Sequence, residues 1–209
     1  MPELLKANEF IACKSPVLDV RAPCEYAKGH IPGSSPLPLF DDAQRAEVGT
    51  LYRRRGKDAS ILLGLELVGP RLRTLVESAK ELSEDGRVSI HCARGGMRSS
   101  SVAWLLETAG LQAALLEGGY KAFRVWALET LDRGLPLLVV GGLTGSGKTD
   151  LLHALCDAGE QIVDLEGLAN HRGSAFGGVG QPPQPTQQQF ENELALALHR
   201  TGSVEDQGK

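Results

Sequence analysis

A chain of 209 residues has room for one large domain or two small ones. Its 42% hydrophobic and 23% charged residues are ordinary for a soluble globular protein, and no apolar run is long enough to span a membrane. The net charge of −4 gives no general pull towards nucleic acid, so such a contact would have to use a local basic patch. Arg53-Arg54-Arg55-Gly56-Lys57 is one candidate, and a solvated loop is an equal reading of so short a run.

Four cysteines, Cys13, Cys24, Cys92 and Cys156, stand far apart with no Cys-x-x-Cys pair, so neither a zinc site nor a disulfide framework is suggested. The first residues, Met1-Pro2-Glu3-Leu4-Leu5-Lys6, do not read as a signal peptide, because no apolar core follows a basic start. A reduced, cytoplasmic compartment is the expectation, and it suits an enzyme that needs a free thiolate.

In chain order, Pro16 to Val20 reads as a short buried strand, ended by charge and proline. Gly29-His30-Ile31-Pro32-Gly33 is a turn, and Leu37-Pro38-Leu39-Phe40 a second extended piece. Leu72, Leu75, Val76, Ala79 and Leu82 recur at helical spacing, so a helix is predicted over Pro70 to Leu82. Arg87 to His91 is a strand. A helix follows with Val102, Leu105, Leu106 and Ala109 on one face, closed by Gly110. Ala113 to Leu116 is another strand, and Gly118-Gly119 leads into a helix from about Tyr120 to Leu131. Strands alternating with helices predict a parallel α/β sheet.

Asp132-Arg133-Gly134 reads as a domain boundary. Leu135 to Val140 is predicted as an apolar strand, Gly141 to Thr149 as a glycine-rich loop and Asp150 to Ala158 as a helix. Gln161 to Leu165 is a further strand, Gly177 to Gln189 a loop, and Glu191 to His199 a helix. Two strands are too few for a doubly wound nucleotide-binding sheet, so a truncated or frame-shifted chain is expected.

The chemistry concentrates in Ile90-His91-Cys92-Ala93-Arg94-Gly95-Gly96-Met97-Arg98-Ser99. A thiol on a strand-to-helix loop sees backbone N–H groups, a helix N-terminus and here two guanidinium groups, all of which favour the thiolate. Cys92 is therefore the expected nucleophile, with Arg94, Gly95, Gly96, Arg98 and Ser99 forming an anion cradle. A buried hydrophobic cysteine is the bland alternative. The spacing His-Cys-x-x-Gly-x-x-Arg-Ser also matches the signature of cysteine phosphatases. Asp19 and Arg21 read as a structural pair and His30 as a turn residue, none of them assigned to catalysis.

Gly142-Leu143-Thr144-Gly145-Ser146-Gly147-Lys148-Thr149 satisfies G-x-x-x-x-G-K-[ST] between a predicted strand and a predicted helix. Amides at Gly142, Gly145 and Gly147 would face phosphate oxygens, Lys148 would reach the outer phosphates and Thr149 a magnesium ion. Asp164 could hold that magnesium through water, or equally cap a helix before Gly167.

Asp19-Val20-Arg21-Ala22-Pro23-Cys24-Glu25-Tyr26, Gly29-His30-Ile31-Pro32-Gly33-Ser34 and Leu116-Glu117-Gly118-Gly119-Tyr120 resemble segments of rhodanese domains, which carry sulfur as a cysteine persulfide. Single-domain rhodaneses usually have Cys-x-x-Gly-x-Arg-Ser. The extra residue between Gly95 and Arg98 makes a wider cradle, suited to phosphate or selenophosphate. With the glycine-rich loop and Asp164-Leu165-Glu166-Gly167-Leu168-Ala169-Asn170-His171-Arg172-Gly173-Ser174, the whole resembles the bacterial tRNA 2-selenouridine synthase family.

That resemblance implies an α/β fold: a rhodanese-like parallel-sheet domain over residues 4–132, then an incomplete P-loop NTPase-like α/β domain over residues 135–209. It implies replacement of sulfur by selenium in a wobble 2-thiouridine, through a geranylated intermediate. Selenophosphate and geranyl diphosphate would be the substrates and Cys92 the selenium carrier. No firm cofactor is implied, nucleotide and magnesium being optional. The implied partners are tRNA and a selenophosphate-supplying enzyme, with no membrane. Ala93 stands where family members often have Trp, and members continue well past residue 209. Two other readings are a rhodanese-type sulfurtransferase fused to a kinase-like NTPase, and an inactive truncated remnant.

Overall fold

The computed structural model describes residues 2–134, 136–143, 145–174 and 176–205. Two units divide the chain, Met1–Trp126 and Ala127–Lys209. The first runs β1 (Glu3–Leu5), α1 (Ala7–Ala12), β2 (Val17–Asp19), α2 (Pro23–Lys28), β3 (Ser35–Pro36), α3 (Asp42–Arg55) and α4 (Lys57–Val68). A 3-10 turn at Gly69–Arg71 leads to α5 (Leu72–Leu82), β4 (Arg87–His91), α6 (Met97–Thr108), β5 (Gln112–Leu116) and α7 (Gly119–Leu131), whose last residues belong to the second unit.

The five strands form one sheet in the order β1-β5-β4-β2-β3, and every pairing is parallel. Parallel strands need crossovers, which the intervening helices supply while covering the sheet. β4 lies at the centre, and its Val88, Ser89, Ile90 and His91 are all buried. Leu18, Val20, Ile90, Val102, Leu106 and Leu115 belong to one continuous core. Cys92 follows the carboxyl end of β4, the edge where open parallel sheets place their ligands.

Most predicted elements of this unit are found within a residue or two, and β4 has the predicted bounds. The second extended piece differs. The ladder residues are Ser35 and Pro36, while Leu37 and Leu39 turn inward as core. Their amides still bond back along β2, Leu37 to the Asp19 carbonyl (2.9 Å) and Leu39 to that of Val20 (3.3 Å). The predicted helix at Pro70 starts as the 3-10 turn and becomes α-helical at Leu72.

In the second unit the described residues form α8 (Lys148–Asp157), α9 (Leu165–Leu168) and α10 (Gln187–Glu205) after the end of α7. The strands predicted over Leu135 to Val140 and Gln161 to Leu165 are not formed among the described residues, and Leu135 itself lies outside them. An apolar run becomes a strand only when a neighbour pairs with it, and here Leu138 is 93% exposed. Leu165 opens a helical turn instead. α10 starts at Gln187, earlier than predicted, where the Thr186 hydroxyl accepts from the Gln189 amide (3.1 Å) as an N-cap. No described helix is long and apolar enough to cross a membrane.

A candidate thiolate site at the end of the central strand

The loop from Cys92 to Gly96 leaves buried β4 and enters α6 within a few residues. Cys92 is only 3% exposed, yet its Sγ is held by donors. The Gly96 amide approaches it at 3.4 Å and the Ser99 hydroxyl at 3.2 Å. Burial alone would raise the thiol pKa. The Ser99 hydroxyl and the amides of Arg94, Gly96 and Ser99 outweigh it, and the pKa is lowered from 9.0. The bland reading of an inert core cysteine does not fit a sulfur surrounded by N–H groups.

Those amides converge because the opposite side of the loop is pinned. The Tyr120 and Lys121 amides, at the start of α7, donate to the carbonyls of Cys92 (2.8 Å) and Ala93 (3.0 Å). The loop carbonyls are thus spent on α7, which leaves the loop N–H groups for Sγ. Gly119 makes this approach feasible. At φ +60° a side-chain carbon there would collide with the Cys92 carbonyl and the Gly95 amide.

A buried charge pair lies beneath. Asp19 and Arg21 are joined through both carboxylate oxygens, with Arg21 Nε at 2.9 Å from each, and Arg21 also donates to the Gly29 carbonyl (2.9 Å). The guanidinium lies 3.7 Å over the Tyr120 ring. These contacts fit the structural role expected of the pair. It ties the end of β2 to the residue that bonds Cys92. His91 sits beside it, with Nε2 3.6 Å from Asp19 Oδ2. Burial lowers the pKa of His91 from 6.5 to about 4. His30 is stacked on Tyr26 with ring centres 3.9 Å apart, a turn residue as expected.

The predicted cradle is assembled unequally. Gly96 gives its amide and Ser99 its hydroxyl to Sγ; Arg94 gives an amide, while its side chain is exposed. Gly95 packs against the Gly118-Gly119 turn. Arg98 is engaged elsewhere, donating to Glu25 Oε2 at 2.9 Å. Glu25 also meets Arg45 Nε at 3.5 Å, and burial, which would raise its pKa, is outweighed by Arg98, so the carboxylate is held ionised. Glu25 and Arg45 carry no local signal for this role, because the partners lie far apart in the chain. The Gly118-Gly119 pair was the readable sign of close backbone approach.

In the second unit Gly147, at φ +78°, precedes α8, and Lys148 Nζ donates to the Leu143 carbonyl (3.0 Å). Thr149 is exposed, as are Gly142 and Gly145. Thr144, within the motif, lies outside the described residues. Asp164 is the N-cap of α9, its Oδ1 accepting from the Gly167 amide at 3.0 Å, so of its two predicted roles the cap is the one seen.

The family described as "Rhodanese-like domain" matches residues 2–125, more than half of the chain. The family described as "tRNA 2-selenouridine synthase AAA domain" matches residues 135–208. A tRNA 2-selenouridine synthase of Pseudomonas putida strain F1 is 46% identical over 204 residues, covering 93% of this chain and 53% of its own length. That of Shewanella sediminis is 43% identical over 196 residues, covering 91% of this chain and 52% of its own. Among solved structures, the N-terminal domain of a putative ATP/GTP binding protein from Clostridium difficile 630 is 35% identical with a TM-score of 0.56, over 60% of this chain and 99% of that one. The chain therefore belongs to the rhodanese-like family, is similar over nearly all its length to tRNA 2-selenouridine synthases, and spans about half the length of those curated relatives.

Proposed function

We propose that the protein of which this chain is part is a tRNA-modifying transferase that replaces sulfur by selenium in a wobble 2-thiouridine, with Cys92 as the selenium carrier. The observation that carries the chemistry is Sγ at the end of the central strand, surrounded by the Gly96 amide and Ser99 hydroxyl and lowered in pKa. Such a pocket stabilises a negatively charged chalcogen, whether thiolate or selenium adduct. The tRNA part of the reading rests on relatives named for that product.

Selenophosphate supplies selenium in this reading, delivered by a selenophosphate-producing enzyme, and geranyl diphosphate alkylates the thiouridine. Alkylation makes the sulfur a leaving group. The Cys92 thiolate takes selenium from selenophosphate as a perselenide, with phosphite leaving. The outer selenium adds at the uridine C2 as the C2–S electrons depart with geranylthiolate. An external thiol then cleaves the remaining S–Se bond, forming a disulfide with Cys92 and freeing the 2-selenouridine. The Gly142, Gly145, Gly147, Lys148 and Thr149 loop takes the phosphate role, for a diphosphate, a tRNA phosphate or a nucleotide with magnesium. Lys148 would leave the Leu143 carbonyl to reach it, and Thr149 would hold the metal.

Mass spectrometry of the chain after exposure to selenophosphate, with Cys92→Ser alongside, tests the carrier role. A selenium adduct on Cys92 that is absent from the variant is the expected result. A persulfide formed from thiosulfate, with sulfite leaving, and no selenium adduct would instead establish the fused sulfurtransferase. Neither adduct would leave an inactive remnant.

A further inference from the structure

The basic run at Arg53 to Lys57 is not a loop. It is the corner of a helical hairpin, the last turn of α3 and the first of α4, joined at Gly56. Arg53, Arg54, Arg55 and Lys57 are all exposed, and among the described residues no salt bridge reaches any of them. Arg53 Nε makes one long contact to its own helix, at 3.4 Å from the Gly49 carbonyl. Four cations within five residues on a chain of net charge −4 are a local reversal of its field.

The run also has a direction. Arg45, Gly49, Tyr52 and Arg53 are spaced four, seven and eight residues along α3, so they share one face. Tyr52 is a 57% exposed aromatic on that face, and Gly49 adds no side chain between it and Arg45. At the near end Arg45 meets Glu25, which holds Arg98 beside the Cys92 loop. From Arg45 to Arg53 the helix rises about 12 Å. One helix face therefore runs from Arg45, linked through Glu25 to Arg98 after the Cys92 loop, to the cationic corner, with the Tyr52 ring on it.

We infer that this face of α3, together with the α3–α4 corner where it ends, is an RNA-docking rail: Arg53, Arg54, Arg55 and Lys57 at the corner bind the ribose–phosphate backbone, and Tyr52 on the face stacks on an unpaired base on its way to Cys92. It rests on the tRNA reading above and names the surface that would serve it. Phosphate contacts of this kind supply affinity without sequence, and an exposed aromatic accepts any base.

The test measures anisotropy of a fluorescein-labelled RNA hairpin with an unpaired loop, titrated with the full 209-residue chain over a range of salt concentrations. The variants are Tyr52→Ala, the triple Arg53→Ala/Arg54→Ala/Arg55→Ala, and a charge-matched control on exposed positions, Arg73→Ala/Lys80→Ala/Arg87→Ala. Thermal melts check that each is folded. The arginine triple is expected to weaken binding at least about ten-fold and to flatten the log–log salt dependence by about two, whereas the control changes little. Tyr52→Ala is expected to cost about ten-fold on RNA and nothing on heparin, a polyanion without bases. Equal losses in the control triple, or an RNA affinity indifferent to Tyr52, would overturn the rail. Wild-type binding that survives every variant removes this surface and leaves the tRNA reading standing. No binding by the wild type removes both, and the Cys92 adduct still reports separately on the carrier chemistry.

Discussion

Two glycine-rich loops run from a predicted strand into a helix in this chain, and among the described residues only one stands on a formed strand. The Cys92 loop follows β4, paired on both sides, and its carbonyls are tied to the start of α7. The Gly142–Thr149 loop has every residue of its motif, yet residues 136–140 before it are unpaired among the described residues and Leu138, Val139 and Leu143 are exposed. A motif supplies groups, whereas the aim of those groups comes from the sheet beneath. That is why the first loop already shows donors converging on one sulfur, while in the second Lys148 rests on its own loop.

Matched glycine substitutions sharpen this contrast. Gly119→Ala pushes a methyl group into the Cys92 carbonyl and the Gly95 amide at a left-handed φ. It should lower the unfolding free energy by about 2–5 kcal/mol, read by urea denaturation, and slow Cys92 alkylation as well. At Gly145, φ +79°, an added Cβ meets nothing within 4 Å. Gly145→Ala should therefore cost only the backbone preference, about 1 kcal/mol, and leave Cys92 reactivity unchanged. Equal costs at the two positions would break the comparison.

Between those two effects lies a pH dependence from the buried layer under the first loop. The folded pKa of His91 is about 4 against 6.5 when unfolded, so the unfolded chain binds the proton first. This contribution is full above 6.5 and is lost as pH falls towards 4, amounting to about 3 kcal/mol at the lower limit. Urea unfolding across that window should show the decline, and His91→Gln should flatten it.

Much of the first unit was legible because its pattern is local. The continuous apolar β4, the glycines and arginines after Cys92 and the helical period of α6 all lie within one stretch. α3 and α4 lack such a local pattern. α3 is polar nearly all round, and its clearest sign was the Asp41 and Gln44 pair that forms a reciprocal cap, with bonds of 2.8 and 3.1 Å. β1 is three residues long and shows no period. Spacing put Arg98 in the anion cradle, and only the fold shows Glu25 holding it, 73 residues away in sequence. Leu135 to Val140 has the composition of a strand, and composition cannot say whether a neighbour exists to pair with it.

The central claim, that the fold makes Cys92 a stabilised thiolate despite its burial, is tested most directly by alkylation of the native chain with iodoacetamide as a function of pH. Peptide mass spectrometry separates Cys92 from the exposed Cys24, whose pKa is raised by the hydrogen bond with Asp42 and so serves as an internal reference. The account predicts a Cys92 midpoint below that of Cys24 and below the ordinary 9.0 of a thiol, moving upward in Ser99→Ala. A Cys92 midpoint at or above that of Cys24, or one indifferent to Ser99, would contradict it.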